Sequence, residues 1–519
     1  MIFRSELPGL RTVPARILPP FAWREVWAVA AVAGALFLVR ADRYLIGGDE
    51  LYFVAAGHRP SPSYADQGPL VPLLAALSDQ LAPGSLLALR FPAVLCTVLA
   101  VVLAAVMARE FGGGRGPQVC AAFAYATTPL AVMQSAMLST FAVDITLTAV
   151  VVWLLVRWVR TRHDLLLVAA GLVAAVDFGV KWLIPIVWAG LAFGVLCFGP
   201  RAMLRARGWW AGSALLGAAA VPILWWQHVN GWPQLAMGAV VRDEQLATAG
   251  LLAMPWTMIQ VTGALGLLLL AGMWGGLRSA RLRPYFFLIP MIGLGLGGVV
   301  LGGLRPYFVA AAFPGLFAAG AVYLADLGVT RRIGIVGAGL AGLAAAICVA
   351  LVVVLPLPPS RLAEPTDRYA QIHTRSVYFG PSGWDELVAA VDIAYHGLPA
   401  ATRSELVVLT QNYWQAAALD YFGPDRGLPA AFSPNRGYGY FAAPPDHATT
   451  VLYVGVDGPD TVLDNGFGDV RRLAVVDEPF GFPGVNRGVG IWLCQEPSAP
   501  WSAVWPGLRS LPLVDGTAR

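Results

Sequence analysis

The stretch Gly47–Leu70, GGDELYFVAAGHRPSPSYADQGPL, puts Asp49, Glu50 and Asp66 within a few turns of chain, directly after an apolar segment. The whole chain is 519 residues, 57% hydrophobic and only 13% charged. Soluble proteins carry about 25% charged residues, and a single soluble core stops growing at about 250–300 residues. A chain this long and this oily is an integral membrane protein. Three carboxylates gathered where it first leaves the apolar phase therefore face water, or a substrate, at one membrane surface. The net charge of +4 is small and its basic residues are scattered, which argues against a nucleic-acid partner. Cys494 stands alone in the polar C-terminal part, so no disulfide framework is available there.

Runs of about 17–25 apolar residues span a bilayer as helices. About eleven are expected, near 25–40, 86–108, 117–137, 140–157, 164–180, 182–199, 209–226, 251–277, 285–303, 307–325 and 333–356. The first is read as a retained anchor, because Arg40 follows it and no small-residue cleavage site is clear. Arginines gather before it and again around 109–115, 157–162, 201–207, 278–283 and 331–332. With eleven spans every cluster falls on one side, the cytoplasm by the positive-inside rule. The alternate loops 41–85, 227–250 and 303–306 carry few basic residues, and the first two carry carboxylates. The N-terminus is expected inside the cell membrane and the C-terminus outside.

After Pro356 the composition turns polar, which divides the chain into a membrane module, 1–357, and an exterior domain, 358–519. "ELVVLT" and "TTVLYVGVD" have the apolar runs of buried strands, and "GWDELVAAVDIAYHGL" and "NYWQAAALDYFG" the spacing of helices. A small α/β domain is expected. Gly337, Gly339 and Gly342 satisfy the dinucleotide fingerprint G-x-G-x-x-G, but no acid follows until Glu364 and the run around them is apolar throughout. The fingerprint needs a strand before it and an acid about 20 residues after it. The segment is read as a spanning helix, in which small residues permit close helix packing.

Ionisable residues at membrane depth usually mark function. Asp144 opens the fourth span at its outer end, and Asp177 and Lys181 stand four apart between the fifth and sixth. An i,i+4 ion pair is the plain reading of the latter two. Lys181 is also the chain's only lysine, and an ammonium is a compact point charge suited to a phosphate. Arg90, Arg305 and His228 are further groups facing the same external side. A lone His in an aromatic loop is more often packed than metal-bound, so His228 is a weak metal candidate. A multi-span transporter or flippase for a lipid-linked or anionic substrate has a similar inventory, although no internal repeat is visible.

"DELYFVAAG", "YADQGPLVPLLAAL" and "LRFPAVL" resemble the bacterial glycosyltransferases related to protein O-mannosyltransferases and to the aminoarabinose transferase that modifies lipid A. The likeness continues through "FGGGRGPQ", "GVKW", "WWQHVNGWP" and "RPYFVAAAFPGLFAAGAVYL" and into "NYWQAAALDYFGPDRGLPAAFS". Gly68 stands where the family's second motif usually has proline, and Arg305 where lysine is frequent. The resemblance implies a GT-C fold and a sugar donor carried on polyprenyl phosphate, with transfer at the extracytoplasmic face. It implies an acceptor that is a glycan, lipid, metabolite or protein, and leaves a divalent metal possible but not required. Asp49 maps onto the family's catalytic base. Glu50 and Asp66 are then expected to position acceptor and sugar, Lys181, Arg90 and Arg305 to bind the donor phosphate, and Asp144, Tyr64 and Tyr307 to line the substrate pocket.

Overall fold

A computed structural model of the chain describes residues 18–249, 254–300, 305–328, 331–362, 375–456 and 466–513. Helix α1 (Trp23–Ala41) leads into two short helices, α2 (Gly48–Gly57) and α3 (Leu70–Leu81), before α4 (Leu86–Glu110). Ser85 starts α4 by accepting the Ala88 amide at 3.3 Å, the usual remedy for an orphan N–H at a helix start. Asp49 and Glu50 thus lie on a helix, α2, while Asp66 lies in the connection between α2 and α3.

The chain continues through α5 (Arg115–Ala126), α6 (Pro129–Gln134), α7 (Thr140–Thr161), α8 (Leu165–Phe178), α9 (Ile184–Phe198) and α10 (Ala202–Arg205). Next come α11 (Arg207–Val229), α12 (Pro233–Ala249), α13 (Met254–Thr262), α14 (Leu267–Arg278), α15 (Ile289–Val300), α16 (Phe313–Leu327) and α17 (Arg331–Val353). Among the described residues, five helical stretches are long and apolar enough to cross a membrane: α4, α7, α11, Phe308–Leu327 and α17. A sixth arises if α13 and α14, which meet at a 101° bend, count as one span. The protein is a multi-pass helical membrane protein, but eleven spans are not established. Hydropathy had run two helices into one where backbone chemistry parts them. The expected 117–137 span breaks at Thr128, whose hydroxyl caps α6 by accepting the Ala131 amide at 3.2 Å ahead of Pro129.

The glycine triplet 337–342 lies inside unbroken α17, with no strand before it. Nothing comes within 4 Å of where a Cβ on any of the three would sit. Among the described residues their small size therefore serves no close packing.

The C-terminal part carries a five-stranded mixed sheet in the order β2-β1-β3-β5-β4. Its strands are β1 (Leu406–Thr410), β2 (Ala431–Phe432), β3 (Thr450–Val456), β4 (Phe467–Val476) and β5 (Val489–Pro497). β1 pairs in parallel with β2 and β3, while β5 pairs antiparallel with β3 and β4. Two helices, α18 (Trp384–His396) and α19 (Tyr413–Phe422), pack on it. One apolar core runs from this domain into the first loop and joins Leu51, Tyr52 and Val71 to Tyr413, Ala416 and Leu452. That shared core fixes the sheet domain over α2.

Candidate active site

The site starts from the first turn of α2, which holds Asp49 and Glu50. Two carboxylates there face the positive end of the helix dipole, yet their surroundings differ completely. Glu50 is 0% exposed and folds back to accept the Gly47 amide at 2.9 Å and the Leu138 amide at 2.8 Å. Arg90, 1% exposed, grips it with two parallel bonds, Nε to Oε1 at 2.8 Å and Nη2 to Oε2 at 2.7 Å. The rest of the guanidinium donates to the carbonyls of Ala41 (2.6 Å), Tyr44 (2.7 Å) and Leu45 (2.9 Å). A guanidinium has five N–H groups, and all five are engaged. Arg90 has no donor left for a phosphate, and Glu50 has no surface to offer a sugar. Both expectations are corrected: the pair is a buried clamp that fixes α2 against α4.

Asp49, one residue earlier, is exposed. Its Oδ1 accepts the Tyr413 hydroxyl at 2.7 Å and the Trp414 indole N–H at 2.9 Å. Among the described residues its Oδ2 has no hydrogen-bond partner. Both donors come from the sheet domain, at the first positions of α19. The sequence dictates that start, because Asn412 and Gln415 form a capping box. Asn412 Oδ1 accepts the Trp414 amide at 2.8 Å, and Gln415 Oε1 accepts the Asn412 amide at 3.0 Å. Two helix N-termini therefore meet at one carboxylate. They meet closely, since a Cβ at Gly48 would overlap the Trp414 ring.

Tyr413 also receives a bond from Arg436 Nη1 at 3.2 Å. Burial pushes the Tyr413 phenol well above its usual range, so it remains a proton donor to Asp49. Arg436 bonds Glu244 of α12 at 2.5 Å, and Glu244 in turn pairs with Arg305 at 3.2 Å. Burial works against the charge of Arg436, but Tyr413, Glu244, Asp49 and Asp66 outweigh it and raise its pKa.

Asp66 accepts the Tyr52 hydroxyl at 3.0 Å. Burial raises its pKa, while Arg436 and the Tyr52 bond oppose the rise and Asp49 adds to it. The backbone that follows pairs with the α8–α9 turn: Gly68 N donates to Val180 O at 3.2 Å and Leu70 N to Gly179 O at 2.9 Å. A proline at 68 has no N–H for that bond, and any Cβ there would overlap the Gly179 carbonyl. The departure from the resembled motif has a local reason.

Lys181 follows that turn. Its backbone amide bonds Asp177 O at 2.9 Å, but its ammonium makes no ion pair with Asp177, whose Oδ2 accepts the Thr148 hydroxyl at 3.0 Å. The ammonium sits over the Phe141 ring at 3.7 Å and the Phe308 ring at 5.2 Å. The fields of Asp144, Arg305, Asp66 and Asp49 reach it. Asp144 is buried, with Oδ1 unpartnered among the described residues.

Tyr64 is spent on structure: its hydroxyl lies 2.8 Å from Ala56 O and 3.1 Å from Arg59 O. Its ring nevertheless helps line a cavity of about 360 Å³ with Trp226 and Tyr440. The Tyr307 side chain lies outside the described residues. His228 is exposed on α11 between the rings of Trp225 and Trp232, each at 6.0 Å. Among the described residues no three His, Cys, Asp or Glu side chains gather as metal ligands, so His228 has no partners for that role.

Reading the sequence alone missed Tyr413, Trp414, Arg436 and Glu244. The capping box in "NYWQ" was the available signal. It marks a helix start carrying two polar-tipped aromatics, although nothing local says what they touch.

Residues 66–226 match the family described as dolichyl-phosphate-mannose-protein mannosyltransferase. The structure is similar to that of ArnT from Cupriavidus metallidurans in the apo state, with a TM-score of 0.57 at 15% identity over 91% of this chain and 98% of that one. It is also similar to the arabinofuranosyltransferase AftD from Mycobacteria, with a TM-score of 0.50 at 15% identity over 91% of this chain and 40% of that one. No curated protein sequence matches. The fold is the GT-C fold, and the matched stretch 66–226 lies within its membrane part. The resemblance read from the first loop is borne out at that level.

Proposed function

We propose that the protein transfers a sugar from a polyprenyl-phosphate donor to an acceptor hydroxyl at the extracytoplasmic face of the cell membrane. The observation that carries this reading is Asp49, an exposed carboxylate held through one oxygen while the other stays open. A carboxylate so placed takes the acceptor's proton as the acceptor oxygen bonds the anomeric carbon. The bond from that carbon to phosphate breaks, and polyprenyl phosphate leaves. Fixed cations stabilise the charge that grows on the leaving phosphate. Lys181, which has no ion-pair partner among the described residues, and Arg305 fill that role, with Asp66 near the sugar and Asp144 beside Lys181. The donor class is supported by the family match, whose description names a dolichyl-phosphate sugar.

The test is lipid-phosphate release from a panel of polyprenyl-phosphate hexoses and pentoses by the full chain in proteoliposomes. Asp49→Asn keeps the shape but accepts no proton. Turnover should fall by about 10²–10⁴-fold with donor binding retained. Near-normal turnover in this variant would remove Asp49 from the base role.

A further inference from the structure

We infer that the sheet domain is part of the catalytic machinery: Tyr413 and Trp414 are positioning residues for the Asp49 base, and Arg436 fixes Tyr413 in turn. The inference rests on Asp49 being the base, as proposed above. A carboxylate at an exposed position on the first turn of a helix, as Asp49 is, rotates freely unless something holds it. Here two donors of different chemistry, a phenol at 2.7 Å and an indole at 2.9 Å, converge on the same oxygen. They leave Oδ2 as the atom that receives the acceptor's proton when its oxygen attacks the anomeric carbon.

The donors are themselves held. The Tyr413 ring packs edge-on against Tyr52 at 5.3 Å, and its hydroxyl accepts from Arg436 at 3.2 Å, which leaves its single proton for Asp49. Arg436 is tied by Nε to Leu511 O at 3.0 Å and by Nη2 to Glu244 at 2.5 Å. Its backbone amide donates to Ser510 O at 2.7 Å. The domain is docked by separate contacts. Arg59 pairs with Asp420 at 2.7 Å, and the Trp384 indole donates to Ile46 O at 3.0 Å. Docking therefore does not depend on the Tyr413 hydroxyl, which is free to serve geometry. Holding a reacting group in a near-attack geometry lowers the barrier to reaction.

The test uses the full chain in proteoliposomes with the donor of the panel that releases lipid phosphate fastest. Tyr413→Phe keeps the ring and removes the hydroxyl, and Trp414→Phe removes the indole N–H. Each should lower kcat at least tenfold with the donor KM within about twofold of wild type. Combined with Asp49→Asn, Tyr413→Phe should cost nothing further, since a positioning residue has nothing left to position. A purely structural defect would lower turnover equally in both backgrounds. Arg436→Gln should reproduce the kcat loss of Tyr413→Phe without adding to it. If Tyr413→Phe and Trp414→Phe both turn over like wild type while Asp49→Asn is inactive, the inference is wrong and the base stands. If Asp49→Asn itself is active, the base assignment falls first.

Discussion

An ammonium and a guanidinium differ most where space is short, and Lys181 is the residue at which the difference is decisive. Its partner in the plain reading, Asp177, turns to Thr148, and the ammonium rests instead over two phenyl rings. Cation–π contact holds a cation in place without neutralising it, so the charge remains available to a phosphate. Lys181→Arg should insert and purify normally yet lose at least tenfold in turnover, about 1.4 kcal/mol at the transition state, because the wider fork no longer fits between Phe141 and Phe308. Asp177→Asn should cost less than twofold in the same lipid-phosphate release assay. The opposite ranking would return Lys181 to structure and leave the phosphate to Arg305 and Arg436. Asp49 and Lys181 stand out in the sequence as candidates because they break an apolar background. Arg90 was misread for the same reason, since a cation in such a background looks equally functional whether its donors are open or spent.

At the scale of elements, the Glu50–Arg90 clamp ties α2 to α4 and so sets where Asp49 emerges. Breaking a buried ion pair by removing one partner costs about 3–5 kcal/mol. Arg90→Met would also strand the carbonyls of Ala41, Tyr44 and Leu45. This variant should unfold at a clearly lower temperature in detergent, read by thermal-shift fluorescence. Arg90→Lys should rescue little, because three donors cannot replace five. A variant that keeps its wild-type Tm and loses only donor affinity would restore Arg90 to the phosphate site. Elements were read well where local chemistry decides them. The strand "ELVVLT" and the helix of "NYWQAAALDYFG" appear as β1 and α19. The breaks at Thr128 and between α13 and α14 were not read, because hydropathy averages over the very residues that end a helix.

For the molecule as a whole, the expected orientation follows from the arginine clusters and can be tested directly. In a background free of native cysteines, single cysteines at His58 and Ser404, both exposed, should react with a membrane-impermeant thiol reagent on intact cells. One at Ala202, also exposed, should react only after permeabilisation. Reaction at Ala202 with protection at His58 would reverse the topology and put the carboxylates in the wrong compartment. The joining of the two parts of the chain was beyond the sequence's reach, since its decisive bonds link side chains at opposite ends of the polypeptide. Asp49 and its two donors are 364 and 365 residues apart. On a ribosome adding about 5–20 residues per second, the nucleus of the active centre waits roughly 20–70 s for its second half. During that interval the first loop is already made and an unrestrained Asp49 is a poor base. On the proposed function, a nascent or prematurely terminated chain therefore stays inactive until the last domain has folded onto the first loop.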